Sequence, residues 1–326
     1  MNASATLDSA VLQGLKGRDF LTVADFSQAE IFAVLDLAAH LKAEKRERVD
    51  HTYRMAGKRV AMYFERPSCR TRVSFEVGIV DLGAHPLMIR QDEIQLGKRE
   101  AIADVARTLS RMVDGIMIRH INHAEVEELA QAADVPVING LTLLHHPCQI
   151  LADLLTIREV FGDFRGKKFV FFGDGTNNMA RSLMQGCALV GMDCVIASPE
   201  TYLPDADTLK EARALADKHY GTQIEATTDP KAAIAGAHVV YTDVWVSMGQ
   251  EADAAAKQRA LFEPFQVNDA LMAGADPKAM VLHCLPAHRG EEITHEVLER
   301  HAATIFEEAE NRLHAQKGLM AAIFAD

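Results

Sequence analysis

The chain has 326 residues, 48% of them hydrophobic and 25% charged, with a formal net charge of −12. That length and composition allow a globular protein of two ordinary domains, and the acidic balance argues against nucleic acid or an anionic membrane as a partner. Five scattered cysteines argue against a disulfide framework, and no apolar run reaches membrane-spanning length, so a reduced, cytoplasmic protein without a secretory signal is expected.

Residues up to about Lys58 read as helical, with Ile31, Val34, Leu35, Leu37, Ala38 and Leu41 on one face. The run Val60–Phe64 predicts a short buried strand, and a helix follows from near Thr71, carrying Phe75, Gly78, Ile79 and Leu82 at helical spacing. From there strands and helices alternate. Pro86–Ile89 predicts a strand, 91–100 an exposed loop, Ala101–Met112 a helix, and Gly115–Ile118 a strand ending at Arg119. Val135–Asn139 predicts another strand, before a long helix from Pro147. A second alternating set begins with the strand Lys168–Phe172, the turn 173–178 and a helix from Met179. It continues through strands at Cys194–Ala197, His238–Thr242 and Met280–His283, with a helix over Leu209–Tyr220. The pattern predicts an α/β fold of two lobes, each a parallel sheet flanked by helices, joined by helices and able to hinge. The expected domains are 1–150 and 151–310, with 311–326 as a closing helix packed back on the first.

The junction Glu65-Arg66-Pro67-Ser68-Cys69-Arg70-Thr71-Arg72 is the most informative stretch. A strand–turn–helix junction aims free backbone N–H groups and the positive end of a helix dipole at one spot, and three arginines surround it. Such a spot takes an anion, most simply a phosphate; an ordinary capped helix with solvated arginines is the plain alternative. Three further places lie at predicted strand ends, where open α/β sheets bind ligands: Arg119, His146-Pro147-Cys148-Gln149, and a set formed by Asn178, Asp243 and His283-Cys284-Leu285-Pro286. His146 with Cys148 and Cys284 lacks the spacing of the usual zinc sites, which favours a metal-free reading. Gly173-Asp174-Gly175 matches part of a dinucleotide fingerprint, but Asn178 holds the third glycine position and no acid ends the next strand; a dehydrogenase is thus the weaker alternative.

Taken together and in order, Ser68-Cys69-Arg70-Thr71-Arg72, Arg119, His146-Pro147-Cys148-Gln149, Asp174-Gly175-Thr176-Asn177-Asn178, Asp243 to Gly249 and His283-Cys284-Leu285-Pro286 resemble the motif set of the ornithine carbamoyltransferases, within the aspartate/ornithine carbamoyltransferase family. The likeness runs from Leu15 to Arg312. It implies carbamoyl transfer from carbamoyl phosphate to the δ-amino group of L-ornithine, giving citrulline and phosphate, in arginine metabolism (biosynthesis, with phosphorolysis of citrulline in arginine breakdown as the alternative direction) and without metal or organic cofactor.

The resemblance also implies the site. Ser68, Cys69 through its backbone N–H, Arg70, Thr71 and Arg119 would grip the phosphate, and Thr71, Arg119 and His146 would face the carbonyl oxygen. Gln149 and the Leu285 carbonyl would hold the carbamoyl NH2, with Cys284 and Arg312 nearby. Gln95 matches a position that reaches the phosphate of a neighbouring subunit, so a homotrimer or an assembly of trimers is expected. Asn178, Asp243, Ser247 and Met248 match the ornithine positions, and Cys284 would lie beside the δ-nitrogen, in a packing, hydrogen-bonding or deprotonating role. Arg119, His146 and Cys284 are the expected catalytic residues, and Ser247-Met248-Gly249 with Gln250 to Arg259 an expected mobile lid. Two residues depart from the pattern: Cys69 stands where threonine is usual, and Leu143-Leu144-His145 replaces acidic and aromatic residues before His146.

Overall fold

A computed structural model describes residues 7–245 and 258–324. The described residues up to Leu155, with those from Glu310 onward, make one compact unit, and Thr156–Ala309 make the other. The division falls inside two helices, Pro147–Phe161 and Ala302–Phe324.

In the first unit, helices α1 (Ser9–Gly14) and α2 (Gln28–Arg46) precede a four-stranded parallel sheet ordered β2-β1-β3-β4. Its strands are β1 (Arg59–Phe64), β2 (His85–Arg90), β3 (Gly115–Arg119) and β4 (Val137–Leu141). The crossovers are α3 (Cys69–Asp81), the short α4 (Gln91–Ile94) with α5 (Ile102–Ser110), and α6 (His123–Ala132); α7 (Pro147–Phe161) follows β4. The strands are apolar because both faces are covered: Val60 to Met62 and Ile116 to Ile118 are fully buried. The chain runs outward from β1 to β2 and then returns past β1 to β3, so the switch point lies between β1 and β3. Phe64 pairs with Arg119 there.

The second unit repeats the scheme with five parallel strands ordered β7-β6-β5-β8-β9: β5 (Lys168–Phe172), β6 (Asp193–Ala197), β7 (Ile224–Thr227), β8 (Val239–Thr242) and β9 (Met280–His283). Helices α8 (Asn178–Val190), α9 (Ala206–His219) and α10 (Pro230–Ile234) supply the crossovers before β8. Here the switch point lies between β5 and β8. Carboxyl ends at switch points are where doubly wound sheets leave a crevice for ligands, and both candidate sites fall there.

Several elements differ from the sequence reading. The opening helices stop at Arg46, and Arg48 takes a left-handed φ of 60°, so 47–58 is turns instead of helix. Within the expected loop 91–100, Glu93 accepts the Arg90 N–H (2.6 Å) and closes the single helical turn α4. Helix α6 and strand β7 were not anticipated. The expected lid 247–259, which includes Ser247 and Met248, lies outside the described residues except for Gln258 and Arg259.

Candidate active site

The first cluster begins at Ser68, which ends the turn after β1 and caps α3. Its hydroxyl oxygen accepts the Thr71 N–H (3.4 Å) and its own O–H donates to Thr71 Oγ1 (3.2 Å). Thr71 Oγ1 also receives Arg119 Nη1 (3.4 Å) from the end of β3 and Arg312 Nη2 (3.2 Å) from the closing helix. Three donors thus meet one hydroxyl oxygen with two lone pairs, at the N-terminus of a 13-residue helix. An acceptor-rich anion satisfies that surplus.

Close helix packing makes this convergence possible. At Gly78 a β-carbon would stand 3.0 Å from Met320 Cε and 3.2 Å from Lys317 Cγ, and at Gly318 one would stand 2.8–2.9 Å from Ala38. These glycines let the closing helix lie against α3 and α2, and Arg312 reaches Thr71 as a result. Arg312 Nη1 donates to Gln149 Oε1 (2.7 Å), whose amide nitrogen donates to Asp153 Oδ1 (2.9 Å). With the Gln316 amide assigned by its hydrogen bonds, its oxygen accepts from Arg312 Nε and Nη2 (3.1 Å each) and its nitrogen donates to Ser74 Oγ (2.7 Å).

His146 is buried, and burial first, then the charges of Arg312, Arg119 and Arg70, hold its pKa well below the usual 6.5. Its imidazole is neutral at physiological pH. Burial pushes the neighbouring Cys148 thiol up to about 12; its Sγ donates to the Asn139 carbonyl (3.4 Å), the profile of an inert packing cysteine. Cys69 is exposed at the first position of α3, whereas Gln95 is exposed where α4 ends, in a left-handed conformation (φ 53°).

The second cluster is set by register. Thr242 pairs with His283, so the residues that follow them, Asp243 and Cys284, emerge side by side; Cys284 Sγ donates to Asp243 Oδ1 (3.2 Å). Asp243 Oδ1 also accepts the Val244 N–H (2.8 Å). Asp174, in the turn after β5, has its pKa raised by burial and by Asp243, against lowering hydrogen bonds from the Thr176 hydroxyl (2.6 Å) and N–H (2.9 Å). Asn178 is the first helical residue of α8, behind the Asn177 cap. Two carboxyl groups within each other's field, one of them hydrogen-bonded to a thiol, give this end of the second sheet an acidic character opposite to that of the first cluster.

The loop after β9 is fixed from three sides. His283 Nδ1 accepts the Leu285 N–H (2.8 Å), its Nε2 lies 3.2 Å from Glu292 Oε1, and its own N–H donates to Glu308 Oε2 (2.8 Å). Leu285 consequently sits at φ 59°, a left-handed conformation an unsupported leucine rarely takes, ahead of a cis peptide bond to Pro286. Donor atoms of Asp243, His283 and Cys284 lie within 4.8 Å of one another, but both His283 ring nitrogens already have these partners.

Residues 18–159 match the carbamoyl-P binding domain of aspartate/ornithine carbamoyltransferase, and residues 165–323 match the Asp/Orn binding domain. The chain belongs to the aspartate/ornithine carbamoyltransferase family. Within that family it is 53% identical over 323 residues to an ornithine carbamoyltransferase of Anoxybacillus flavithermus, covering 99% of this chain and 100% of the relative. Among solved structures, the ornithine carbamoyltransferase of Pyrococcus furiosus superposes with a TM-score of 0.91 at 47% identity, covering 95% of this chain and 98% of that one. The anabolic ornithine carbamoyltransferase of Campylobacter jejuni gives a TM-score of 0.85 at 37% identity, covering 93% and 97%. The two family domains correspond to the two parallel sheets found here.

The structure brings together Ser68, Thr71, Arg119, Gln149 and Arg312 in one network, with His146 in the field of its arginines, and Asp243 with Cys284 in another. Sequence reasoning missed Asp153, Gln316 and the pair Glu292 and Glu308, and named Asp174 only within its motif. Asp153 and Gln316 sit one helical turn from Gln149 and Arg312, and Glu292 and Glu308 flank His283 from later in the chain; their neighbours in sequence gave no sign that these residues would brace the two clusters.

Proposed function

We propose that this chain transfers the carbamoyl group of carbamoyl phosphate to the δ-amino group of L-ornithine, giving L-citrulline and phosphate. The observation that carries the reading is the meeting of Arg119 and Arg312 on the Thr71 hydroxyl at the start of α3, in the part of the chain that matches a carbamoyl-P binding domain. In this reading Ser68, the Cys69 N–H, Arg70, Thr71 and Arg119 hold the phosphate dianion with charge-assisted bonds. Thr71, Arg119 and His146 face the carbonyl oxygen, on which negative charge grows as the amine attacks. A neutral His146 donates an N–H to that oxygen without adding a charge to a site already rich in arginine. Gln149 Oε1, which accepts from Arg312 Nη1, and the Leu285 carbonyl hold the carbamoyl NH2 in this reading.

Asp243 takes the α-ammonium of ornithine, and Asn178, Ser247 and the Met248 N–H take its carboxylate. Cys284 lies beside the δ-nitrogen. The neutral δ-amine attacks the carbonyl carbon, the bond from that carbon to the phosphate oxygen breaks, and the proton leaves the nitrogen. The mixed anhydride is already activated, so the reaction calls for positioning and charge, not for a metal or organic cofactor.

The same reading makes the protein a homotrimer, or an assembly of trimers, with Gln95 serving a neighbouring copy. What supports self-association is an apolar stripe on the first unit: Val73 (52% exposed), Val77 (38%) and Val80 (54%) along α3 face a groove of about 800 Å³ that Met88 also lines. We place the protein in the cytoplasm, a reading its five free thiols support. No helix among the described residues is long and apolar enough to cross a membrane. Arginine biosynthesis is the proposed setting, in line with the anabolic enzyme of C. jejuni that it resembles.

The test is a product assay with carbamoyl phosphate and a panel of ornithine, N-acetylornithine, putrescine, lysine and aspartate, read by mass. Citrulline from ornithine, unaffected by a metal chelator, is the expected result. Turnover with another amine alone would overturn the amino-acid half of the reading.

A further inference from the structure

Arg119 is held by more than the sheet. Because Phe64 pairs with Arg119, the residues just beyond them, Glu65 and His120, emerge next to each other. The Glu65 N–H donates to the Arg119 carbonyl (2.9 Å), and Glu65 Oε2 accepts the Ile121 N–H (2.7 Å). The same carboxylate oxygen lies 2.9 Å from His120 Nδ1, an ion-pair contact instead of an aligned hydrogen bond. His120 is 5% exposed; its Nε2 contacts Glu125 Oε2 on α6, and Glu125 Oε1 accepts from the Asn122 amide (3.1 Å). Its ring also lies 6.0 Å from that of Tyr63. The Glu65 carboxylate thus grips the backbone on one side of Arg119 and the side chain next to it, while the Glu65 backbone N–H holds Arg119 itself.

Glu65 is also the first residue of the four-residue turn that ends at Ser68, the cap of α3. The clamp therefore joins the two structures that converge on Thr71: the turn into the phosphate helix, and the strand end that carries Arg119. Neither Glu65 nor His120 touches Thr71 or belongs to the phosphate-binding set.

We propose that Glu65 and His120 are positioning residues for the phosphate site, fixing the Arg119 guanidinium relative to the Ser68–Thr71 turn, with Glu125 holding His120 from the far side. This rests on the reading of the first unit as a carbamoyl phosphate site. A glutamate with three partners at one spot, two on its carboxylate and one on its backbone N–H, restricts a long arginine through its backbone, where a hydrogen bond to the guanidinium would compete with the ligand.

A double-mutant cycle tests it, with KM for carbamoyl phosphate and the dissociation constant of inorganic phosphate as readouts. Glu65→Ala should raise both by at least about tenfold and leave KM for ornithine within about twofold; in an Arg119→Ala background it should add no more than about twofold. Glu65→Gln keeps an acceptor for the Ile121 N–H while losing the charge facing His120, so an intermediate effect is expected, and it serves if the alanine variant does not fold. Asp114→Ala is the matched control. Asp114 fastens the opposite ends of the same two strands, its Oδ2 accepting the Arg59 N–H (2.7 Å) and its own N–H donating to the Arg59 carbonyl (2.8 Å). If general loosening of β1 against β3 were the cause, Asp114→Ala would raise KM for carbamoyl phosphate as much as Glu65→Ala does. That result, or an undiminished Glu65→Ala effect without Arg119, would overturn the clamp while leaving the site intact. A wild-type protein with no affinity for phosphate or carbamoyl phosphate would instead overturn the reading beneath it.

Discussion

The two units use one architecture for opposite charges. Each sets polar residues at the carboxyl ends of the strands flanking the switch point of a parallel sheet, Ser68 and Arg119 in one and Asp174 and Asp243 in the other, and adds others from neighbouring elements. In the first, the residues that converge are Arg119, Arg312 and a histidine held neutral, around a helix N-terminus. In the second they are Asp174, Asp243 and a thiol. The scaffold supplies the crevice, and the side chains at a few strand ends decide whether it receives a dianion or an ammonium group. Burial is the first cause of the shift in both; the nearby charges then add to it, arginines further depressing buried His146 in one unit and Asp243 further raising half-buried Asp174 in the other.

The largest expected effect is from Arg119→Ala, which should lower kcat/KM for carbamoyl phosphate by about 10²–10³, the usual cost of one donor to a developing oxyanion. Steady-state kinetics checks this; a loss under about threefold would remove Arg119 from the phosphate side of the comparison. Asp243→Asn should come next, costing about a hundredfold in kcat/KM for ornithine, typical of breaking a desolvated charge pair. A rate unchanged over the full ornithine range would empty the second unit of its proposed cation site.

Acid and base separate the two environments further. The folded pKa of His146 lies below its ordinary 6.5, so as pH falls below about 6.5 the unfolded chain binds the proton first and stability drops. Buried His51 and His314 and half-buried His301 are depressed in the same direction and add to the drop. Urea midpoints between pH 8 and 5 should fall, and less steeply in His146→Gln. Asp174 has the opposite sign: its folded pKa is raised, so its stability contribution is lost as pH rises above the ordinary 3.8. Asp174→Asn should raise the urea midpoint at pH 7 and leave it unchanged near pH 3. The smallest effect is expected from Cys69→Thr. It adds a hydroxyl donor at the first turn of α3 and should lower KM for carbamoyl phosphate by about twofold to tenfold, the worth of one hydrogen bond.

Much of this was readable from sequence where the determinants are local. The apolar run Val60–Phe64, the stiff Pro67, the Ser68 cap and the helical spacing of Phe75, Gly78 and Ile79 announce the junction without reference to the remainder of the chain. Strand β7 escaped because four residues with the burial of Ile224–Thr227, at a sheet edge, carry no period. Helix α6 did have its signals, an Asn122 cap and Val126, Leu129 and Ala130 on one face, but they are few and spaced among glutamates. The reach of Arg312 to Thr71 spans 241 positions and the contact of Ile121 with Glu65 spans 56. Such pairs depend on sheet register and on helix approach at Gly78 and Gly318, which no local pattern encodes.

The division of labour between the units is tested most directly by crossed kinetics: KM for carbamoyl phosphate and KM for ornithine, each in Arg119→Ala and in Asp243→Asn. The account predicts that Arg119→Ala raises the first constant and spares the second, and that Asp243→Asn does the reverse. Equal rises of both constants in both variants would contradict it.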